Sequence, residues 1–448
     1  MTHRTRFFLF LFFVLLFCTI TPLAILYTAG YQLNLSWPLR FNKALQKTGM
    51  FVFDTEPSGA SVYLDGKEQQ SFLNKYFGDK TYEITPAKIM RVLPGDYDVK
   101  LELDGYWPWE KKLTVNPGQS THAEDVVLFK KILPAQIIQA KEKNYAVTEN
   151  KKQLAVLENN ILSVVNLVDG TRTDKKIDGI SLNQKIQWSP DNRKILAGNY
   201  LFDLDNQSEL MNLASLFKAN VKNIKWDSTG KNLYYEKNQK LYRYNFETQK
   251  SILANKFSCD DYLVENNLLC VKTTANRTTL FKISLVDQEI AQELELPGSL
   301  YTLKKENGIL LLMDQKHSLV YLIDENSGSL VKAEINQAKL VYPAKNGEVL
   351  YTNNYEISLF NPQTEENFLL SRISEPVIGI AWHSSDNYFI YATAKNINVL
   401  ELDNRDRRNL LELAGAEDIS NPVFDSEENL LYFWAKIGNE AGIYKLAL

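Results

Sequence analysis

IQWSPDNRKILAG at 186–198, IKWDSTGKNLYYE at 224–236, IAWHSSDNYFIYA at 380–392 and PVFDSEENLLYFW at 422–434 are copies of one pattern. Each places an aromatic residue (Trp188, Trp226, Trp382 or Phe424) before a polar turn and a second apolar run. The aromatics stand 38, 156 and 42 residues apart, and 156 holds four periods of 39, so three further copies are expected between 226 and 382. YLVENNLLCVK at 262–272, TLKKENGILLLMD at 302–314 and VYPAKNGEVLYTN at 341–353 fill those places, and YAVTENKKQLAVLE at 145–158 precedes the set. After each comes a third alternating run, such as KLYRYNFET or TLFKISLVD, closed by an acidic or Asn-rich turn.

A unit of about 40 residues that reads strand, turn, strand, strand is the repeat of a β-propeller blade. Residues 131–448 are therefore expected to form an eight-bladed β-propeller, with seven blades as the alternative. The last copy ends at Leu448 after its third strand, so its outer strand must come from the segment entering the ring, about 126–138. Pairing the two ends in this way removes exposed sheet edges, and would dock the preceding module on the ring. The repeated aromatic is read as a wedge between neighbouring sheets rather than a ligand box.

Working outward from the repeats, the N-terminus is of a different kind. FFLFLFFVLLFCTITPLAILYTA, residues 7–29, contains no charged residue. As a helix it would extend about 34 Å, enough to cross a bilayer core of about 30 Å. Arg4 and Arg6 precede it and keep residues 1–6 in the cytoplasm by the positive-inside rule. Tyr27, Tyr31 and Trp37 suit the outer interface. Thr28-Ala29-Gly30 offers a cleavage site, but the apolar run is longer than that of a signal peptide, so the helix is expected to remain as a single-pass anchor. Residues 30–47 are read as a juxtamembrane linker.

Residues 48–130 alternate. Tyr97, Val99, Leu101 and Leu103 fall on one face of the run at 96–104, with charges on the other. Similar strands are expected at 50–54, 61–65, 109–115 and 125–129, separated by Pro- and Gly-containing turns. The reading is a small β-sandwich, which makes the chain all-β beyond its helix. Trp107 and Trp109 are expected to plug its end.

TGMFVFDTEPSGASVYLDG at 48–66, TPAKI at 85–89 and LPGDYDVKLELDGYWPWEKKLTVNPGQ at 93–119 resemble the PEGA domain of bacterial envelope and surface proteins. The resemblance rests on Pro57, Gly59 and Ala60, Asp65-Gly66, Thr85-Pro86, Pro94-Gly95, Tyr97 and Gly105-Tyr106. Ser58 stands where the motif has Glu, and the loop between Gly66 and Thr85 is longer than the family usually shows. The resemblance covers about a fifth of the chain and implies an extracytoplasmic accessory module for binding or display, not a catalyst. Tyr76, Phe77 and Tyr82 in the long loop are the candidate binding residues, although packing over the sandwich edge would also account for them. Trp188-Ser189-Pro190-Asp191 resembles the propeller repeats of TolB-like periplasmic proteins.

The chemistry-bearing residues assemble no catalytic or metal site. The four histidines, His3, His122, His317 and His383, are isolated, and no zinc-ligand spacing, nucleophile elbow or phosphate-binding loop appears. Aspartates such as Asp203 and Asp205 sit in blade turns, where they accept backbone hydrogen bonds. Cys259 and Cys270 share one repeat; a disulfide is permitted in an oxidising compartment, but free buried thiols are expected. With 54 acidic against 50 basic residues the chain is a poor match for nucleic acid. The expected function is a non-catalytic, extracytoplasmic scaffold of the cell envelope, without cofactor or metal. Its partner would be an envelope protein or a cell-wall polymer, bound through a propeller face. The alternative is a carbohydrate-active hydrolase or lyase with a carboxylate site at the propeller centre.

Overall fold

The computed structural model describes residues 3–33, 45–70, 82–180, 184–205, 210–275, 277–344 and 346–448. It divides into two compact units, one of residues 1–133 with 399–413 and 448, the other of residues 134–398 and 414–447.

In the first unit the apolar N-terminal run is a helix, His3–Thr28. Its segment Thr5–Thr28 has a mean hydropathy of 2.7 and is long and apolar enough to cross a membrane. Pro22 lies inside it and removes one backbone hydrogen bond. The stretch expected as a linker is more than that at its described ends, because Tyr31–Leu33 pairs antiparallel with Leu45–Lys47.

Two sheets follow. One has the order Ala87–Val92, Gly49–Glu56, Ser120–Val127; the other runs Lys67–Glu68, Ser61–Leu64, Gly95–Glu102, Trp109–Val115. Phe51, Phe53 and Ala123 from the first meet Val62, Leu101 and Leu113 from the second in one buried core. The strand expected at 125–129 begins earlier, at Ser120, and pairs parallel with Gly49–Glu56. Ala87–Val92 was not foreseen, since Lys88 and Arg91 interrupt its alternation. Trp109 is 4% exposed and belongs to the core as expected, whereas Trp107 reaches the surface. The family positions have visible work to do. The Thr85 hydroxyl accepts from the backbone N–H groups of Gly59 and Ala60 at 3.1 and 2.9 Å, tying down the Pro57–Ala60 turn.

Beyond residue 134 the described residues form eight four-stranded antiparallel sheets, one for each sequence copy. In the first, Tyr145–Val147, Gln153–Glu158, Ile161–Asn166 and Arg172–Lys176 follow one another as a meander. Six more cover 186–212, 222–255, 261–297, 301–335, 340–372 and 377–415. In the eighth, Asp418–Asp425, Leu430–Ile437 and Glu440–Ala447 are completed by Ala135–Gln139, which pairs with Glu440–Ala447. The closing strand thus comes from the entering segment, at the end of the window read from the sequence. Gly442 is needed there, because a Cβ on it would lie 2.4 Å from the Ile138 carbonyl oxygen.

First strands of successive sheets lie against one another, as Lys222–Trp226 does with Asp261–Val264 and Val377–Trp382 with Asp418–Asp425. The eighth and first sheets share a core of Ile138, Leu154, Val156, Trp434 and Ile443. The repeated aromatic bridges sheets: Trp188 packs among residues of the first two and donates its indole N–H to the Ala146 carbonyl at 3.0 Å. The residue after it closes the turn. Ser189 Oγ accepts from Lys194 N at 2.9 Å, Asp227 Oδ1 from Asn232 N at 3.1 Å, and Asp425 Oδ1 from Glu427 N at 3.1 Å.

One expectation is overturned. Cys259 and Cys270 form a disulfide, with Cα atoms 5.5 Å apart. The ladder places Tyr262, not Cys259, opposite Cys270. Cys259 lies ahead of the strand Asp261–Val264, where the chain bends back and brings its sulfur under the second strand. Strand register alone does not reveal such an approach.

Candidate functional site: a charged cavity in the second unit

The first strands of the repeats converge, and their inward residues and adjoining turns line whatever space remains. In the second unit that space includes a cavity of about 690 Å³ bounded by 149–152, 304–313, 339–342, 378–380 and 422–428. These segments come from the first, fifth, sixth, seventh and eighth sheets. The volume is within the range of small-ligand pockets.

The lining is charged with both signs. Lys151, Lys152, Lys304 and Lys339 contribute ammonium groups. Glu149, Glu306, Asp425, Glu427 and Glu428 contribute carboxylates. Lys304 and Glu306 neutralise each other at 2.5 Å. Asp425 is 5% exposed and occupied by the turn it caps. Lys151, Lys152 and Lys339 form no ion pair among the described residues, and neither do Glu149, Glu427 and Glu428. Met313, Tyr342 and Phe424 supply apolar and aromatic surface between them. The lining is therefore charged, with apolar and aromatic surface between the charges.

Elsewhere the first strands satisfy their own charges. Lys225 pairs with Asp261, whose second carboxylate oxygen accepts from Leu303 N at 2.7 Å, linking three consecutive sheets. Lys305 pairs with Glu265 at 2.6 Å. Tyr262, fully buried beneath this ladder, donates to the Asn223 carbonyl at 2.6 Å, and burial pushes its phenol well above the usual range.

Carboxylate pKa shifts all run one way. Those of Asp169, Asp174, Asp287, Asp314, Glu356 and Asp403 are lowered. For Asp314, burial pushes up, but hydrogen bonds from Ser299, His317 and the Lys316 backbone outweigh it. His383 moves down to about 4 because it is buried. The described residues contain no group of three His, Cys, Asp or Glu side chains placed to hold a metal ion.

Of the loop aromatics, Tyr76 and Phe77 lie outside the described residues. Tyr82 is 40% exposed, forms an isolated bridge with Gln70, and stands apart from the core of its unit. It belongs to the first unit and the cavity to the second. The cavity lysines were passed over in the sequence because each sits in an ordinary polar turn or strand end. Their common signal was position, within the first strand of a repeat or in the turn beside it.

Residues 48–127 match the PEGA domain family. No curated protein matches the chain. Among solved structures, the Dos1 propeller is similar with a TM-score of 0.52 at 12% identity, over 71% of this chain and 95% of that one. The C-terminal WD40 domain of Sif2 has a TM-score of 0.49 at 12% identity, over 70% and 98%. At these identities the likeness to the Dos1 propeller establishes the fold: the repeats build a β-propeller.

Proposed function

We propose that this protein is a membrane-anchored, extracytoplasmic, non-catalytic binding platform of the cell envelope. In this reading residues 1–6 lie in the cytoplasm, 7–29 span the membrane, 48–130 form a PEGA-type β-sandwich, and 131–448 close an eight-bladed propeller. Support for the compartment comes from three independent features. The helix Thr5–Thr28 carries no charge beyond Arg6 and is apolar enough to span a bilayer, PEGA domains are extracellular modules, and Cys259–Cys270 is a bond that persists in oxidising surroundings.

The observation that carries the function is the charged cavity. Three lysines and three glutamates line it without partners among the described residues. All but the half-buried Lys151 are exposed, so they cost the fold little and remain free to steer and match a complementary partner. Such a lining suits a polymer with both charge signs along its length, either a protein segment or an amino-sugar-containing cell-wall strand. A hydrolase at the same place would instead need two carboxyl groups set about 5 to 9.5 Å apart, one of them held protonated near neutral pH.

Site-directed crosslinking tests this. A photoreactive residue replacing Met313, in the cavity, should capture an envelope protein or wall fragment when the full chain sits in its own membrane. The same residue replacing Val286, a 94% exposed turn residue, should capture nothing comparable. Adducts at 286 alone, or none at either position, would sink the reading. Lys151→Glu with Lys339→Glu should abolish the adduct at 313.

A further inference from the structure

The strand Ala87–Val92 contains a bulge that returns Val92 to the core face shared with Ala87 and Ile89. Gly49 pairs with Val92 and Met50 with Met90, leaving Arg91 as the extra residue. Arg91 has φ 62°, the left-handed region that non-glycine residues adopt at a cost. A bulge of this kind redirects a side chain away from the ladder. Here the guanidinium carbon lies 3.3 Å from the centroid of the Tyr27 ring. Tyr27 is in the last turn of the apolar helix, which ends at Thr28. A second link lies beside it: both the backbone N–H and the hydroxyl of Thr48 donate to the Gly30 carbonyl at 2.8 Å. On the same sheet edge, Lys88 is exposed and Met90 is 59% exposed, while Phe51 and Phe53 face the core.

We infer that the edge strand Ala87–Val92 is a membrane-contact surface, lying in the phospholipid headgroup layer of the bilayer that holds the helix. This rests on the anchor reading above. If the helix crosses the bilayer, Tyr27 marks the interface where aromatic rings settle, and Arg91, stacked on that ring, is carried to the same depth. Lys88 and Arg91 then offer cations to anionic headgroups, and Met90 offers apolar surface to the acyl boundary. The strained backbone at Arg91 thus serves two contacts, Val92 in the core and the guanidinium on Tyr27.

The test uses the full chain in phosphatidylglycerol–phosphatidylcholine nanodiscs. A fluorophore is placed at Met90→Cys in a Cys18→Ser background. A control carries it at Asp104→Cys, two residues beyond the end of the strand Gly95–Glu102. A third sample carries it on native Cys18, a free cysteine within the helix. A nitroxide on the lipid headgroup should quench position 90 severalfold more than position 104. If 90 behaves like 104 while bromine on the acyl chains quenches Cys18, the inference is overturned and the anchor stands. If acyl-chain bromine leaves Cys18 unquenched, the anchor falls and the inference with it. Arg91→Gly suits the positive φ and removes the cation together with its stack on Tyr27, so it should fold normally and lose most quenching at 90. Unchanged quenching in that variant would remove Arg91 from the contact.

Discussion

Lys111 Nζ lies 2.8 Å from Glu401 Oε2, with the lysine side chain fully buried and the glutamate 4% exposed. Both belong to the first unit, which takes in residues 399–413. Trp109 Nε1 donates to the other oxygen of Glu401 at 2.9 Å, and Lys111 also donates to the Asp403 carbonyl at 2.8 Å. In Trp109–Val115 the buried positions alternate strictly, and Lys111 occupies one of them. It is a charge in an apolar register, tolerable only because a carboxylate and a carbonyl meet it there.

Removing one partner of such a pair leaves an uncompensated buried charge. Lys111→Met should therefore destabilise the protein by about 3–5 kcal/mol. Adding Glu401→Gln should restore much of the loss, because the amide oxygen still accepts from Trp109 and no charge remains. Chemical denaturation of the two variants checks this. Equal stability of the single and double variants would show that the charge was not the cost.

His383 stands where Ser189, Asp227 and Asp425 stand in their repeats and is 3% exposed. Its Nδ1 accepts from Ser385 N at 3.2 Å. Burial holds its pKa at about 4 against 6.5 in the unfolded chain. Between those values the unfolded state binds the extra proton, so stability is present above pH 6.5 and is lost as pH falls toward 4. Melting at pH 7.5 and 5 should reveal about 2 kcal/mol lost to this group. His383→Gln should remove that component of the pH dependence, leaving a flatter curve.

Cys259–Cys270 predicts a simple mass-spectrometric result. Alkylation of the unfolded, unreduced chain should modify Cys18 alone, and reduction should expose two further thiols. Replacing both bonded cysteines by serine should cost about 2–3 kcal/mol. Three alkylated thiols without reductant would contradict the bond.

At Gly442 the entering strand passes too close for a side chain. Gly442→Val should push Ala135–Gln139 off the eighth sheet, at a cost of at least about 2 kcal/mol. Hydrogen exchange should report faster opening of Ala135–Gln139 than of the middle sheets. Uniform exchange across all eight would argue that ring closure does not depend on this contact.

The repeats were legible because their signals are local. An aromatic, a polar turn and two alternating runs lie within about 14 residues, and strand periodicity is a property of near neighbours. The same holds for the apolar helix and for the Pro- and Gly-containing turns that mark the PEGA positions. Ala87–Val92 escaped because its bulge breaks the alternation that would have announced it.

What the sequence by itself determined is the succession of elements: one apolar helix, a set of short strands at 48–130, and a period near 39 residues repeated to the C-terminus. Tertiary structure alone decided which charges meet. Trp109 and Glu401 are 292 residues apart, and nothing near Lys111 signals its carboxylate. Likewise Cys259 reaches Cys270 only through a bend ahead of its strand, and Arg91 reaches Tyr27 only through a bulge. The physical reason is range. Backbone conformation and burial pattern follow from residues a few positions away, whereas pairing of charges and sulfurs depends on how distant segments are brought together.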